Sequence, residues 1–176
     1  FFETVSDAGV NRISLGVQSV IESEIKKLGR FSDRELIEKR IIQCKSAGIE
    51  NISLDVMLGV QEQTQKSLSE TLDFCIASGA KHISAYMLKI EEGTTYYKKR
   101  DSLNLPDDDE VADMYLAMSE SLLSNGFEHY EISNFARQGY EGKHNLKYWN
   151  CEEYLGLGPS AHSFIDGKRF FYPRDI

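Results

Sequence analysis

The chain has 176 residues, 41% hydrophobic and 27% charged, with a net charge of −8. This is ordinary globular composition, long enough for one domain with a substantial core. The acidic balance and the absence of a Lys/Arg-rich run disfavour a nucleic-acid partner, which needs a basic face. No apolar run approaches the roughly 18–20 residues that span a bilayer or resembles a signal-peptide core, so a cytoplasmic protein without a transmembrane segment is expected.

In chain order, Phe1-Phe2-Glu3-Thr4-Val5 reads as the inside of a helix running towards Gly9, as expected of a piece of a longer protein whose missing part is N-terminal. Four candidate strands follow: Arg12–Val17, Asn51–Leu58, His82–Leu88 and Tyr130–Phe135. The first three share an echo: Arg12-Ile13-Ser14-Leu15, Asn51-Ile52-Ser53-Leu54 and His82-Ile83-Ser84-Ala85. Each comes after a glycine-containing helix exit, Ala8-Gly9, Ala47-Gly48 or Gly79-Ala80. Ser32 precedes a helix over 33–47, with Leu36, Ile37, Arg40, Ile41 and Cys44 spaced for one buried face. Ser67–Ala77 repeats the form with Leu68, Leu72, Cys75 and Ile76.

Pro106 is suited to the first turn of a third helix, and Asp107-Asp108-Asp109-Glu110 to the positive end of its dipole. That acidic run reads as a capped helix entry, not a metal site. Val111, Met114, Tyr115, Met118 and Leu122 give the core stripe, ending at Asn125-Gly126. After Phe135 the chain turns aromatic and glycine-rich, through Tyr148-Trp149 and Gly156-Leu157-Gly158-Pro159 to Phe170-Phe171-Tyr172. Loops and short antiparallel strands are expected there.

Helices of ten or more residues between strands imply crossovers and a mainly parallel sheet, hence an α/β fold. In barrel-like members of that class, functional groups gather at the C-terminal strand ends. The rule singles out Gln18, Asp55 and Gly59, Lys89 and Glu91, and Asn134. Asp55 lies between Leu54 and Val56, where an unpaired carboxylate is costly. It either receives hydroxyl or amine donors from a ligand or caps a neighbouring loop. Cys44, Cys75 and Cys151 are far apart, without CxxC or CxxxCxxC spacing, and read as incidental thiols.

Seven strings carry a family resemblance in order and spacing. Gly9 to Ser19 resembles G-hNRhSxGhQS, and Leu28-Gly29-Arg30 resembles LGR. Asp55 to Thr64 resembles DLIYGLPGQT, and His82 to Thr94 resembles HISAYxLxIExGT. Tyr130 to Ala136 resembles YEISNFA, His144 to Trp149 matches HNxxYW, and Leu155 to His162 resembles LGLGxGAH. Together they resemble the HemW and HemN (oxygen-independent coproporphyrinogen oxidase) branch of the radical S-adenosylmethionine (SAM) proteins. The HNxxYW string points to the HemW side.

The resemblance implies a partial TIM-type barrel that holds a 4Fe–4S cluster and SAM at the C-terminal strand ends. Residues 1–136 would be the later part of that barrel, and 137–176 the start of an aromatic, glycine-rich α+β cap. The cluster ligands would sit in a CxxxCxxC loop that this sequence lacks, so the chain alone is expected to perform no radical catalysis. Gln18 and Arg30 align with SAM-contacting residues, and Asp55 is a third SAM candidate. Lys89 falls where the adenosine pocket is lined, through backbone atoms, while Glu91 and Thr94 structure the loop. His144 is the candidate axial ligand of haem, with Asn145, Tyr148 and Trp149 beside it. Asn134 and His162 are further pocket candidates, and Tyr130 suits a cavity wall or core packing equally.

Two strings depart from the pattern. Gly59-Val60-Gln61-Glu62-Gln63-Thr64 lacks the proline and second glycine of GLPGQT, which predicts a more flexible, more acidic turn. Gly158-Pro159-Ser160-Ala161 likewise replaces a glycine-rich turn. The functional expectation is a HemW-type haem chaperone that passes haem to an acceptor protein. The alternatives are coproporphyrinogen III oxidase and a tetrapyrrole-binding module without radical chemistry.

Overall fold

A computed structural model describes residues 1–31 and 33–174. The chain forms two compact units, Phe1–Tyr140 and a smaller one from Glu141 onward. In the first, the order is α1 (Phe2–Asp7), β1 (Arg12–Gln18), α2 (Glu22–Lys27), α3 (Arg34–Ser46), β2 (Asn51–Leu58), α4 (Gln65–Ala77) and β3 (His82–Met87). There follow α5 (Thr95–Lys99), a 3-10 turn at Arg100–Ser102, α6 (Asp108–Ser124), β4 (Glu128–Glu131) and β5 (Asn134–Ala136). The fold is α/β: β1, β2 and β3 are parallel neighbours, and the sheet order is β1-β2-β3-β5-β4.

The fourth strand differs from expectation. Tyr130-Glu131-Ile132-Ser133 alternates as a strand would, yet Ile132 is exposed at a turn. The segment is a hairpin, and β5 runs antiparallel between β3 and β4. Ala85 N–H donates to the Ser133 carbonyl at 2.7 Å, locking the hairpin against β3. Asn134 therefore opens an antiparallel strand instead of ending a parallel one.

Side-chain caps fix the long helices. Asp33 accepts from Leu36 N–H at the start of α3, and Ser32 lies outside the described residues. Ile37, Ile41 and Cys44 form its buried stripe, whereas Leu36 and Arg40, each one residue earlier, fall on the solvent flank, contrary to expectation. Thr64 and Ser67 form a capping box that starts α4 at Gln65. Asp107 and Glu110 form another, 2.8 and 2.9 Å, at the start of α6. Pro106 thus precedes the cap instead of occupying the first helical turn.

Ile13, Leu15 and Val17 on β1, Ile52 to Leu58 at alternate positions on β2, Ile83 and Ala85 on β3, and Phe135 on β5 share one sheet face. They pack with Ile37, Ile41, Leu68, Leu72, Met114, Met118 and Leu122 from the helices in a single core.

The second unit contains α7 (Lys143–Trp149) and the antiparallel pair β6 (His162–Ile165) and β7 (Lys168–Phe171), with a bridge from Tyr154 to Phe164. The HNxxYW string is thus helical. The short helices α2, α5 and α7 span too few turns for hydrophobic periodicity to reveal them. Among the described residues, no helix is long and apolar enough to cross a membrane.

Candidate functional site

The sheet face opposite the core is polar. In register across the strands, Gly16 pairs with Asp55, Asp55 with Ser84, Ser84 with Asn134, and Asn134 with Glu131. Asp55 accepts from the Ser14 hydroxyl at 3.0 Å, and Asn134 Nδ2 donates to the Glu131 carboxylate. One step earlier, Ser53 Oγ and His82 Nδ1 lie 2.8 Å apart, and His82 Nε2 and the Tyr130 hydroxyl 2.7 Å apart. This Ser–His–Tyr chain centres on a buried imidazole that sequence reasoning missed. Its signal was present: His82 opens an echo whose equivalents, Arg12 and Asn51, are also polar.

Gln18 ends β1 at a bulge, with φ at 63°. A Cβ on Gly16 would stand 3.0 Å from the Gln18 amide nitrogen, so this glycine lets the side chain lie close over the strand. Gln18 Oε1 and Asn134 Oδ1 are buried and meet no donor among the described residues. Such acceptors are costly unless something supplies hydrogen bonds. Together with Asp55, they give the face an acceptor-rich floor suited to a ligand bearing hydroxyl and ammonium donors.

Gln18, Asp55 and Asn134 are therefore brought onto one sheet. Arg30 and Lys89 lie on loops after α2 and β3, with exposed side chains outside the polar row. Lys89 pairs with Glu91 at 2.9 Å. Thr94 caps α5, accepting from Tyr97 N–H at 3.1 Å and donating to the Glu91 carbonyl at 2.7 Å.

The loop after β2 is more ordered than its sequence predicts. Gln63 Oε1 accepts from the N–H groups of Gly59, 2.7 Å, and Val60, 3.3 Å, while its Nε2 donates to the Met57 carbonyl at 2.9 Å. Glu62 donates its N–H to Asn104 and pairs with Lys27. These bonds replace the rigidity that proline would supply.

In the second unit, His144 Nε2 and the Tyr148 hydroxyl are 2.8 Å apart across one helical turn, with the rings edge-on at 5.0 Å. Tyr148 meets Tyr154 edge-on at 4.6 Å. Asn145 is half-buried, and Trp149 is exposed. A cleft of about 530 Å³ is lined by Tyr148, Cys151, Tyr154, His162, Phe164 and Arg169, with Glu152 beside them. Gly156 is indispensable there, because a Cβ would stand 2.1 Å from the His162 carbonyl oxygen.

Cys44 and Cys75 are buried, and burial pushes the Cys75 thiol up to about 12, so neither is poised to ionise. Among the described residues, no three His, Cys, Asp or Glu side chains gather as metal ligands.

No family model matches the chain. It is 38% identical over 167 residues to the heme chaperone HemW of Bacillus subtilis, covering 94% of this chain and 44% of that protein. It is 41% identical over 168 residues to HemW of Synechocystis, covering 94% and 41%. Coproporphyrinogen III oxidase (HemN) of Escherichia coli, a radical SAM enzyme, superposes with a TM-score of 0.80 at 19% identity, covering 99% of this chain and 43% of that one. That likeness bears on fold alone. The chain spans less than half the length of these relatives. Such identity, sustained over nearly all of the chain's residues, bears out the resemblance to the HemW and HemN branch of the radical SAM proteins.

Proposed function

We propose that this chain is the later part of a cytoplasmic radical SAM protein of the HemW type, which binds haem and passes it to an acceptor protein. Residues 1–136 form part of a TIM-type barrel whose polar inner face receives SAM, and residues 137–176 begin a haem-binding cap. The carrying observation is the acceptor-rich floor, where Gln18 Oε1 and Asn134 Oδ1 are buried without donors among the described residues, on the sheet that carries Asp55. Ribose hydroxyls and the methionyl ammonium of SAM are the donors that such a floor lacks.

In this reading the Gln18 amide orients the ribose, and Asp55, steadied by Ser14, accepts from the ligand. The Arg30 guanidinium forks onto the methionyl carboxylate. The backbone at Lys89 borders the adenosine. When bound, SAM with a reduced 4Fe–4S cluster supplies a 5′-deoxyadenosyl radical; the cluster ligands belong to the part of the family pattern that this sequence lacks. Haem is received by the α7 region, where His144, Asn145, Tyr148 and Trp149 provide aromatic surface and polar anchors. The HNxxYW string and the names of the curated relatives favour haem transfer over coproporphyrinogen oxidation.

Calorimetric titration of the 176-residue chain with SAM tests the floor. Asp55→Ala should weaken binding by about 10- to 100-fold, as loss of a charge-assisted hydrogen bond does. Equal affinity in wild type and Asp55→Ala, with Gln18→Ala equally silent, would remove SAM from this face.

A further inference from the structure

Building on the haem reading, we infer that the haem iron is held by His162, in the cleft of the second unit, while His144 positions Tyr148. His144 is a poor candidate for the iron because its Nε2 is already engaged by the Tyr148 hydroxyl at 2.8 Å, and it does not line the cleft. His162 does line it, and among the described residues its ring makes no side-chain hydrogen bond; its ring contact is with Phe171, tilted at 5.4 Å. A neutral, accessible imidazole is a common axial ligand.

The cleft suits a flat dianionic macrocycle in three respects. Its volume, about 530 Å³, lies within the range of small-molecule sites. Tyr148, Tyr154 and Phe164 give it aromatic walls, in contact with one another at 4.6 and 6.5 Å between ring centres. Arg169, on β7 opposite Phe164, supplies a guanidinium for a propionate carboxylate. Glu152 also lines the cleft and accepts from Asn150 Nδ2 at 3.2 Å, which favours binding with the propionates turned towards Arg169.

The ligand is held in position before haem arrives. Gly156 presses against the His162 carbonyl where no larger residue fits, and its N–H donates to the buried Ser163 hydroxyl at 3.0 Å. Tyr154 and Phe164 exchange backbone hydrogen bonds of 2.9 Å, tying the strand after His162 to the wall. Tyr148, fixed by His144, closes the other side. Cys151 lines the same cleft and offers a thiol as a competing ligand for iron.

Hemin titration of the 176-residue chain, followed in the Soret band, separates the possibilities. His162→Ala should weaken uptake at least about tenfold and shift the Soret maximum, with added imidazole restoring the wild-type spectrum. His162→Gln, which keeps the bulk of the side chain, should behave the same. His144→Ala should weaken uptake a few-fold without moving the maximum, as should Cys151→Ser. A shifted maximum in His144→Ala or Cys151→Ser, with His162→Ala spectrally unchanged, overturns the assignment while leaving haem binding intact. A wild-type chain that takes up no hemin overturns the haem reading itself.

Discussion

Glu62 and Ser160 stand in the left-handed region, at φ 62° and 60°, where the family pattern has glycine. Both turns therefore keep the glycine conformation without the glycine. A side chain in that region costs about 1–2 kcal/mol, and glycine returns about 0.4–1 kcal/mol of that through its freer unfolded chain. Ser160→Gly should thus stabilise the protein by about 0.5–1 kcal/mol. Glu62→Gly should gain less, because it removes the pair between the exposed Glu62 and the half-buried Lys27. Urea denaturation monitored by circular dichroism measures both. A loss of stability in Ser160→Gly would mean that the hydroxyl, not the backbone, governs this turn.

At the level of elements, the strand echo was legible but its pairing was not. β1 and β2 align at equivalent echo positions, Arg12 with Asn51, whereas β2 and β3 slip by two, so that Ser53 meets His82. An even slip keeps every side chain on its own face, so the hydrophobic pattern is blind to it. The slip is what brings Ser53 Oγ to His82 Nδ1, with Tyr130 closing on the far nitrogen from β4. Tyr130→Phe removes this partner from a buried ring and should cost about 1–3 kcal/mol. If the chain acts as a unit, Ser53→Ala and Tyr130→Phe should couple through the imidazole by roughly 0.5 kcal/mol or more in a double-mutant cycle, although the two residues do not pair directly. Strict additivity would reduce the network to two independent bonds.

At the scale of the whole molecule, the two units are built on unequal foundations. Gln18 and Asp55 could be singled out because parallel strands direct functional groups to one end. Asn134 was singled out by the same rule although it ends no parallel strand, since the hairpin that positions it follows from the Ser133 and Ala85 backbones, which carry no sequence signal. In the second unit, the family-matching string His144 to Trp149 drew attention to the helix, whereas the cleft depends on contacts between segments farther along the chain, such as Tyr154 with Phe164. The physical asymmetry goes further. Among the described residues, every fully buried hydrophobic side chain lies between Val17 and Ala136. A unit of this size without such a core is marginal unless something else binds it. Hydrogen exchange should therefore find the amides of β6 and β7 opening well before those of β2 and β3. Hemin should slow exchange in the second unit preferentially, because a ligand stabilises the state that binds it by mass action. SAM should slow exchange along β1 and β2 instead. Equal protection of β6 and β2 in the unliganded chain would show that the second unit draws its stability from more than its own contacts.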